Sequence, residues 1–329
     1  MKNFNKIIML PLLLLSFTAI DVKAEIKKVA QTGYQFLKVD ASARAAAMGG
    51  AYTLVGVGAS SMFYNPAGLA EQNSSLDVFS TQTMWIADIS YLSFGISKSI
   101  SKVGVFGLSA RTANYGDVIG TRVASNSAGF EETGNIELGA MSVGLAYARK
   151  LTDRFWVGGQ VNFVSQNLGE TLMSTGLQEN KTQGLSYDFG TMYYPGLESF
   201  RFGMSIRNFS QEFKYEDNTF QLPLTFTIGA ALDVTDIMKT IGEDHDLLIT
   251  FDAVHPRDYT ERINVGSEYG FRDMIFLRAG YKFNHDTEGV SGGIGINIPI
   301  VGLKTRWSYS MNDAGDFSPT NRFSVSASF

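Results

Sequence analysis

The side chains that most often perform chemistry are scarce in this chain. It has 329 residues, no cysteine and three histidines, at His245, His255 and His285. Without cysteine there can be no disulfide, thiol nucleophile or thiolate metal site. Each histidine falls at a predicted strand end, in a loop or beside a proline, and none has a second histidine at the helical spacing of a metal site. Solvated histidines explain these positions better than a catalytic or metal-binding role.

Two other patterns could bind an ion or a phosphate, but neither is specific. The acidic run 243–246 (EDHD) could hold a cation, although a solvated turn explains it more simply. The glycine-rich stretch 292–295 (GGIG) falls in a predicted strand and not before a helix, so it is not a phosphate-binding loop. We therefore expect no catalytic residue, no metal and no cofactor, and we do not expect an enzyme. A hydrolase with scattered polar groups is the alternative.

The first residues have the pattern of a secretory signal peptide. Lys2 and Lys6 precede an apolar run at 7–17 that is short for a membrane span, and 22–24 (VKA) suits a cleavage site. We predict a signal peptide at 1–24, with a single anchor helix as the alternative. Its removal takes away three lysines and one aspartate, so the formal net charge changes from −5 to −7. This acidic balance argues against a nucleic-acid partner.

Alternation of apolar residues with polar or small ones recurs from residue 76 to the end of the chain. Successive side chains of a strand point to opposite faces, so each run predicts a strand with one apolar face. Many runs exceed the usual ~5–6 residues of soluble strands and match the ~9–11 of a tilted membrane strand. The fourteen predicted strands are 76–84, 88–99, 102–115, 138–150, 155–170, 183–194, 201–215, 221–233, 245–256, 261–271, 274–285, 288–299, 303–312 and 321–329.

The connections between these strands differ in length on the two sides. Those after odd-numbered strands include the long polar loops 116–137 and 171–182, whereas those after even-numbered strands are mostly tight, except 234–244. Long loops on one side and short turns on the other are typical of outer-membrane barrels. The sequence therefore predicts an all-β fold, a 14-stranded antiparallel transmembrane β-barrel at 76–329, surrounded by outer-membrane lipid.

The stretch 40–70 is rich in alanine, glycine and serine and suits an enclosed position. Small residues at 45–50 allow close backbone packing, and Asn65 with Pro66 fixes a turn. We therefore expect residues 25–75 to form a lumenal plug, which either only seals the barrel or moves to open it. An enclosed Arg44 needs an anionic partner, because an unpaired buried charge is costly. The candidate partners are Asp188, Asp252 and Glu268.

The same stretch resembles the opening phrase of the PorV/PorQ family of outer-membrane proteins. That family is related to the FadL group of hydrophobic-compound transporters, whose fourteen-stranded barrels carry an N-terminal hatch with an Asn-Pro-Ala element. The resemblance implies a hatch motif made by Arg44, Met48, Gly49, Gly50, Asn65, Pro66, Ala67 and Gly68. The matching positions are Gly33, 36–38 (FLK), 43–51 (ARAAAMGGA), Thr53, 59–60 (AS) and 65–70 (NPAGLA).

The resemblance implies a function in protein transport. It points to a non-enzymatic component or paralogue of type IX secretion and surface attachment in a Gram-negative member of the Bacteroidota. The implied partners are secretion subunits or the C-terminal signal domains of cargo. The alternative is FadL-like transport of a hydrophobic ligand, favoured by the Asn-Pro-Ala element and the aromatic segment 62–64 before it.

The last strand carries a further signal. Phe323, Val325 and the terminal Phe329 alternate with serines, and this pattern is similar to the assembly signal of Gram-negative outer-membrane barrels. It implies the barrel-assembly machinery as a partner. We therefore expect the protein to be located in the outer membrane.

Overall fold

The structure is a computed structural model that describes residues 32–173, 176–197, 199–215, 217–237, 244–300 and 302–329. The predicted signal peptide at 1–24 and the first residues of the predicted plug lie outside the described residues. Among the described residues, no helix is both long enough and apolar enough to cross a bilayer.

Fourteen of the strands formed by the described residues close into one antiparallel barrel. Each pairs with the barrel strands before and after it, and the first strand pairs with the last. The predicted closed barrel is therefore confirmed. Its strands are β1 (Leu76–Met84), β2 (Ser90–Ile100), β3 (Gly104–Asn114), β6 (Leu138–Thr152), β7 (Phe155–Met173), β8 (Gly176–Tyr193), β9 (Phe200–Phe209), β12 (Thr225–Asp233), β13 (His245–Pro256), β14 (Arg262–Phe271), β15 (Ile275–Phe283), β16 (Val290–Ile300), β17 (Leu303–Ala314) and β18 (Phe317–Ser328).

Two hairpins form small sheets that are separate from the barrel. One is formed by β4 (Val118–Val123) and β5 (Phe130–Ile136), and the other by β10 (Phe213–Tyr215) and β11 (Asn218–Phe220). The first occupies the region 116–137 that the sequence predicts as an irregular loop. Ladder hydrogen bonds satisfy the backbone of an exposed hairpin even where apolar residues do not alternate regularly, which is why alternation did not reveal it.

Two other predicted boundaries are wrong. The region 171–182, predicted as a loop, is mostly strand, because β7 and β8 stay paired from Thr171 opposite Gln178 down to the barrel. The predicted strand 201–215 is interrupted after Phe209. Its neighbour Asn208 has a φ of 60°, a left-handed conformation that asparagine tolerates better than most residues, and the chain bends there.

Side chains on the strands give the barrel an apolar outer face and a polar inner face. On β14, the outward-facing Ile263 and Tyr269 are exposed, whereas the inward-facing Gly266 and Glu268 are buried. On β2, outward Phe94 is exposed and inward Ser93 is buried. A barrel with apolar residues outside and polar residues inside suits a hydrocarbon surrounding.

The barrel has two distinct ends. At the turn end, the backbone N–H of Phe329 donates to the carbonyl of Leu76 at 2.9 Å, and the short connections 101–103, 153–154 and 272–274 lie there. At the loop end are the two separate hairpins and the connections 257–261 and 284–289.

The N-terminal segment, residues 32–75, contacts the interior wall on several sides. It contains the α-helix Ala43–Ala47 and the 3₁₀ helices Gln35–Lys38, Gly58–Phe63 and Pro66–Glu71; a further short α-helix, Val234–Ile237, connects β12 to β13. The α-helix of the segment contacts β15 to β18, the helix from Gly58 contacts β1 to β3, and the helix from Pro66 contacts β6 to β8. The apolar core lies between this segment and the barrel strands.

Candidate functional site

Arg44 lies in an ion-pair cluster with two residues of the barrel wall. Its Nε and Nη2 atoms donate to the two carboxylate oxygens of Glu268, at 2.8 and 2.5 Å. Arg278 on β15 also donates to Glu268, at 2.5 Å, and Glu268 and Arg278 are directly opposed in the β14–β15 ladder. All three side chains are mostly buried. One carboxylate therefore accepts hydrogen bonds from two guanidinium groups.

The other two candidate partners of Arg44 have different roles. Asp252 accepts hydrogen bonds from the backbone N–H groups of Tyr52 and Thr53, both at 3.0 Å, and from the Thr53 hydroxyl at 2.7 Å. Asp188 accepts from Asn162 and from the backbone N–H of Asn208. Asp252 thus fixes the N-terminal segment through its backbone, whereas Asp188 joins strands of the wall.

The α-helix Ala43–Ala47 and the two residues after it pack directly on glycines of the wall. A Cβ atom built on Gly280 would lie 2.0 Å from the nitrogen of Gly49, and one built on Gly266 would lie 2.5 Å from the carbonyl oxygen of Met48. Gly49 and Gly50 have φ values of 65° and 76°, which glycine adopts at little cost. The small residues therefore permit backbone-to-backbone contact between the segment and the wall.

Polar side chains of the wall complete the hydrogen bonding of this helix. The hydroxyl of Ser291 accepts from the N–H of Gly49 at 3.0 Å and donates to the carbonyl of Ala47 at 3.1 Å. Asn312 donates to the carbonyl of Ala46, and Ser324 accepts from the N–H of Ala43. Because the end groups of a short helix lack partners within the helix, these contacts replace water in a buried place.

Asn65 and Pro66 begin the last helix of the segment. The Asn65 side chain accepts from the N–H of Ala67 at 3.1 Å and donates to the carbonyls of Thr53 and Thr191 at 3.0 and 3.2 Å. Pro66 occupies the first helical turn, where its missing N–H costs nothing. Asn65 therefore caps a helix, joins two parts of the segment and contacts β8 at once. Gly68, in the same helix, is buried, and a Cβ built on it would lie 2.2 Å from the carbonyl oxygen of Gly56.

A second set of ion pairs lies toward the loop end. Lys282 on β15 contacts Asp40 at 3.0 Å and Glu288 at 2.7 Å. Lys38 pairs with Asp258 at 3.0 Å. Burial would raise the pKa of Asp258, but the hydrogen bond from Thr32, the charge of Lys38 and further hydrogen bonds outweigh it and lower that pKa.

Sequence reasoning missed several of these charged contacts. The carbonyl of Asp40 accepts from the fully buried Arg322, and the sequence did not indicate either residue as part of the site. Lys282 was predicted to line the interior of the barrel, but without a partner. Lys282 and Arg322 each occupy the inward-facing phase of an alternating strand. A charge in that phase is the signal that could have found them, since it must meet either a counter-charge or water inside the barrel.

Two cavities adjoin the N-terminal segment from opposite ends. The loop-end cavity has a volume of about 320 Å³ and is lined by polar and charged residues that include Asp40, Arg262 and Lys282. The turn-end cavity has a volume of about 510 Å³ and is lined by Arg44, Arg306 and several serines, with Phe79 and other apolar residues. Residues of the segment line both cavities.

His245, His255 and the residues of the assembly signal lie apart from these contacts, whereas His285 contacts Glu288 at 3.3 Å and lines the loop-end cavity. His245 contacts the Tyr269 hydroxyl, and His255 contacts Glu261 at the surface. Phe323 and Phe329 are exposed on the outer side of β18 and at its end; the assembly role of Phe323, Val325 and Phe329 stays a prediction. In the described part of the chain, no group of three or more histidine, aspartate or glutamate side chains is placed to hold a metal ion.

Solved structures with a similar fold are membrane channels. The CymD monoaromatic hydrocarbon channel aligns with a TM-score of 0.59 at 12% identity, over 88% of this chain and 98% of that chain. The toluene transporter TodX of Pseudomonas putida aligns with a TM-score of 0.58 at 13% identity, with the same coverage. The toluene transporter TbuX of Ralstonia pickettii aligns with a TM-score of 0.54 at 15% identity, again over 88% and 98%.

These likenesses concern the fold. No protein-family model matches the chain, and no curated protein matches it. At 12–15% identity, the solved structures show that the fold is similar to that of these channels and do not assign a cargo. None of the comparisons supports the narrower resemblance to PorV/PorQ proteins.

Proposed function

We propose that this protein is an outer-membrane channel for small hydrophobic molecules, in which the N-terminal segment is a lumenal plug. The observation that carries the proposal is the contact of residues 32–75 with strands on opposite sides of a barrel whose fold is that of hydrocarbon channels. The apolar outer face of the barrel suits outer-membrane lipid. The barrel-assembly machinery would place it there.

The plug is held by contacts that can be broken one group at a time. Ion pairs at Glu268 and Lys282 and backbone hydrogen bonds to Asp252 and Ser291 join it to one side of the wall. Residues of the segment line the cavities at both ends. We expect a molecule that passes from one cavity to the other to displace the segment or a part of it.

The cargo class is proposed from the fold neighbours. Those proteins are channels or transporters for toluene and monoaromatic hydrocarbons. The test is uptake of radiolabelled toluene by Gram-negative cells that lack their own hydrocarbon channel. Cells making the full chain should take up toluene faster than cells with the empty vector, and a Glu268→Gln chain with a loosened plug should be faster again. Equal uptake by all three strains would reject the proposal.

A second candidate is a docking platform in type IX secretion. Besides the motif resemblance, the β4–β5 hairpin favours it, because this hairpin extends from the loop end and exposes Ile119, Val123 and Phe130. Exposed apolar patches often mark interaction sites. Secretion subunits or cargo signal domains would be the partners.

The test of this second candidate is recovery from the native membrane in mild detergent. Secretion subunits should copurify with the full chain and be lost when Ile119, Val123 and Phe130 are replaced by serine. Recovery of the same proteins with both chains, or of none, would count against a docking platform.

A further inference from the structure

Two arginines bind one carboxylate near the turn end of the barrel, and a third arginine lies beside them. Arg44 and Arg278 both bind Glu268. The guanidinium of Arg306 lies 4.5 Å from the ring centre of Phe276, and that of Arg278 lies 5.5 Å from the same ring. The three guanidinium groups have two carboxylates within ion-pair distance, the buried Glu268 and the exposed Asp273, so positive charges outnumber negative ones.

Arg306 is the member of this cluster with the weakest compensation. Its Nε donates to the amide oxygen of Asn297 at 2.8 Å, a neutral partner. The nearest carboxylate in the described part of the chain is Asp273, at 3.9 Å, and its side chain is 77% exposed. Because water screens exposed ion pairs, Asp273 compensates the positive charge of Arg306 only weakly.

The turn-end cavity brings hydroxyl groups to the same place. Arg306 is directly opposed to Ser326 on β18, and Ser308 is directly opposed to Ser324. All four residues line the cavity of about 510 Å³. A guanidinium flanked by hydroxyl donors is the chemistry that binds carboxylate and phosphate oxygens.

The same cavity also has an apolar side. Val57, Phe79, Met274 and Ile298 line it together with the polar residues. Since an engineered apolar cavity of roughly 150 Å³ is enough to hold benzene, this cavity has room for a ring or a short chain beside a charged group. An inorganic ion alone would leave the apolar residues without a partner.

We infer that the turn-end cavity binds a small organic anion, with its oxyanion on Arg306 and the neighbouring serines and its apolar body against Phe79 and Met274. This rests on the proposed small-molecule channel and extends its cargo to amphipathic molecules that also carry a negative charge. A neutral hydrocarbon would fill the apolar side but leave the positive charge of Arg306 uncompensated.

Three probes separate the contributions of the charge and of the apolar body. Benzoate has both a carboxylate and a ring, toluene has only the ring, and inorganic phosphate has only the charge. Binding of each to the purified full chain in detergent is measured by isothermal titration calorimetry. Benzoate should bind saturably, at least tenfold more tightly than either toluene or phosphate, and its affinity should fall as salt is added. Equal binding of benzoate and toluene, or phosphate binding as tight as benzoate binding, would overturn the inference.

Variants identify the site. Arg306→Gln should weaken benzoate binding at least tenfold, whereas Arg306→Lys, which keeps the charge, should weaken it less. Arg122→Gln is the matched control, because Arg122 lies on the exposed β4–β5 hairpin, and it should bind benzoate like the unaltered chain. Benzoate binding unchanged in Arg306→Gln would also overturn the inference.

Lys304→Gln provides a test that does not touch the cluster. Lys304 is exposed and lines the same cavity, so its loss should weaken benzoate binding even where Arg306→Gln disturbs folding. Toluene uptake without benzoate binding would reject this inference alone. Benzoate binding without uptake would reject the proposed channel and leave the site in place.

Discussion

Arg44 and Glu268 lie 224 positions apart in the chain and form a two-pronged ion pair inside the barrel. The pair joins the only α-helix of the N-terminal segment, among its described residues, to β14. Because Glu268 also binds Arg278, this one carboxylate fixes the segment and neutralises part of the wall at the same time.

Replacing Glu268 with Gln should release the N-terminal segment. Two buried guanidinium groups would lose their counter-charge, and removing one partner of a buried ion pair costs roughly 3–5 kcal/mol. We expect faster trypsin cleavage after Lys38 and Arg44, measured by mass spectrometry of the folded protein in detergent. Glu131→Gln, which removes a surface pair with Arg122, should leave cleavage unchanged. Equal protection of all three chains would contradict this account of the ion pair.

Replacing Gly280 with Ala should displace the same helix by steric contact. The new methyl group would lie 2.0 Å from the nitrogen of Gly49, and overpacking of this kind costs about 1–3 kcal/mol or more. A lower thermal unfolding midpoint, measured by light scattering or circular dichroism, is the expected result. Gly292→Ala is the control, because its nearest atom would be the Arg278 carbonyl oxygen at 3.7 Å. Similar midpoints for the two variants would show that the backbone contact at Gly280 does not contribute to the stability of the protein.

Replacing Asn65 with Ala should loosen the helix Pro66–Glu71. The change removes a helix cap and two amide hydrogen bonds, with an expected loss of roughly 1–3 kcal/mol. Hydrogen exchange of residues 66–71, followed by mass spectrometry, should accelerate accordingly. Asn135→Ala on the exposed β5 strand should not change this exchange, and protection that survives in Asn65→Ala would assign the helix's stability to packing instead.

The connection 284–289 should weaken as the solution becomes acidic. Burial lowers the pKa of His285 to about 4 from its usual value near 6.5, so the folded loop holds the neutral imidazole. Between these values the opened loop binds a proton that the folded loop does not. Stability is therefore full above pH 6.5 and falls as the pH drops toward 4, by roughly 2 kcal/mol at pH 5.

NMR titration of the His285 ring checks the low pKa directly. In addition, hydrogen exchange of 284–289 corrected for intrinsic rates should show more opening at pH 5 than at pH 7, and His285→Gln should remove most of that difference. A ring that titrates near 6.5 would contradict the prediction.

Much of the barrel follows from the sequence because alternation and a closed sheet are linked. A strand with one apolar face must pair on both edges in lipid, so fourteen such runs lead directly to a ring. The irregular places do not follow. The left-handed Asn208 depends on the contact of its N–H with Asp188, which only the assembled strands create.

The site was less predictable than the wall. An enclosed Arg44 demands an acid, but the choice among three acids depends on the register of β13 and β14 against the helix Ala43–Ala47. Asp252 lies opposite Asn264 and meets the backbone of Thr53 instead. The alternating pattern predicts which face of the sheet each residue occupies but not its position along the barrel axis. It therefore could not decide between Glu268 and Asp252.

The pairing of β1 with β18 also has a consequence for the order of assembly. The hydroxyl of Ser328 donates to Asp77 at 2.6 Å across 251 positions of the chain, so the seam cannot form until the last strand has been made. Contacts of such long range are slow to form. The helix Ala43–Ala47 contacts β18 and the helix Gly58–Phe63 contacts β1. The N-terminal segment therefore bridges the two strands of the seam in addition to their own hydrogen bonds.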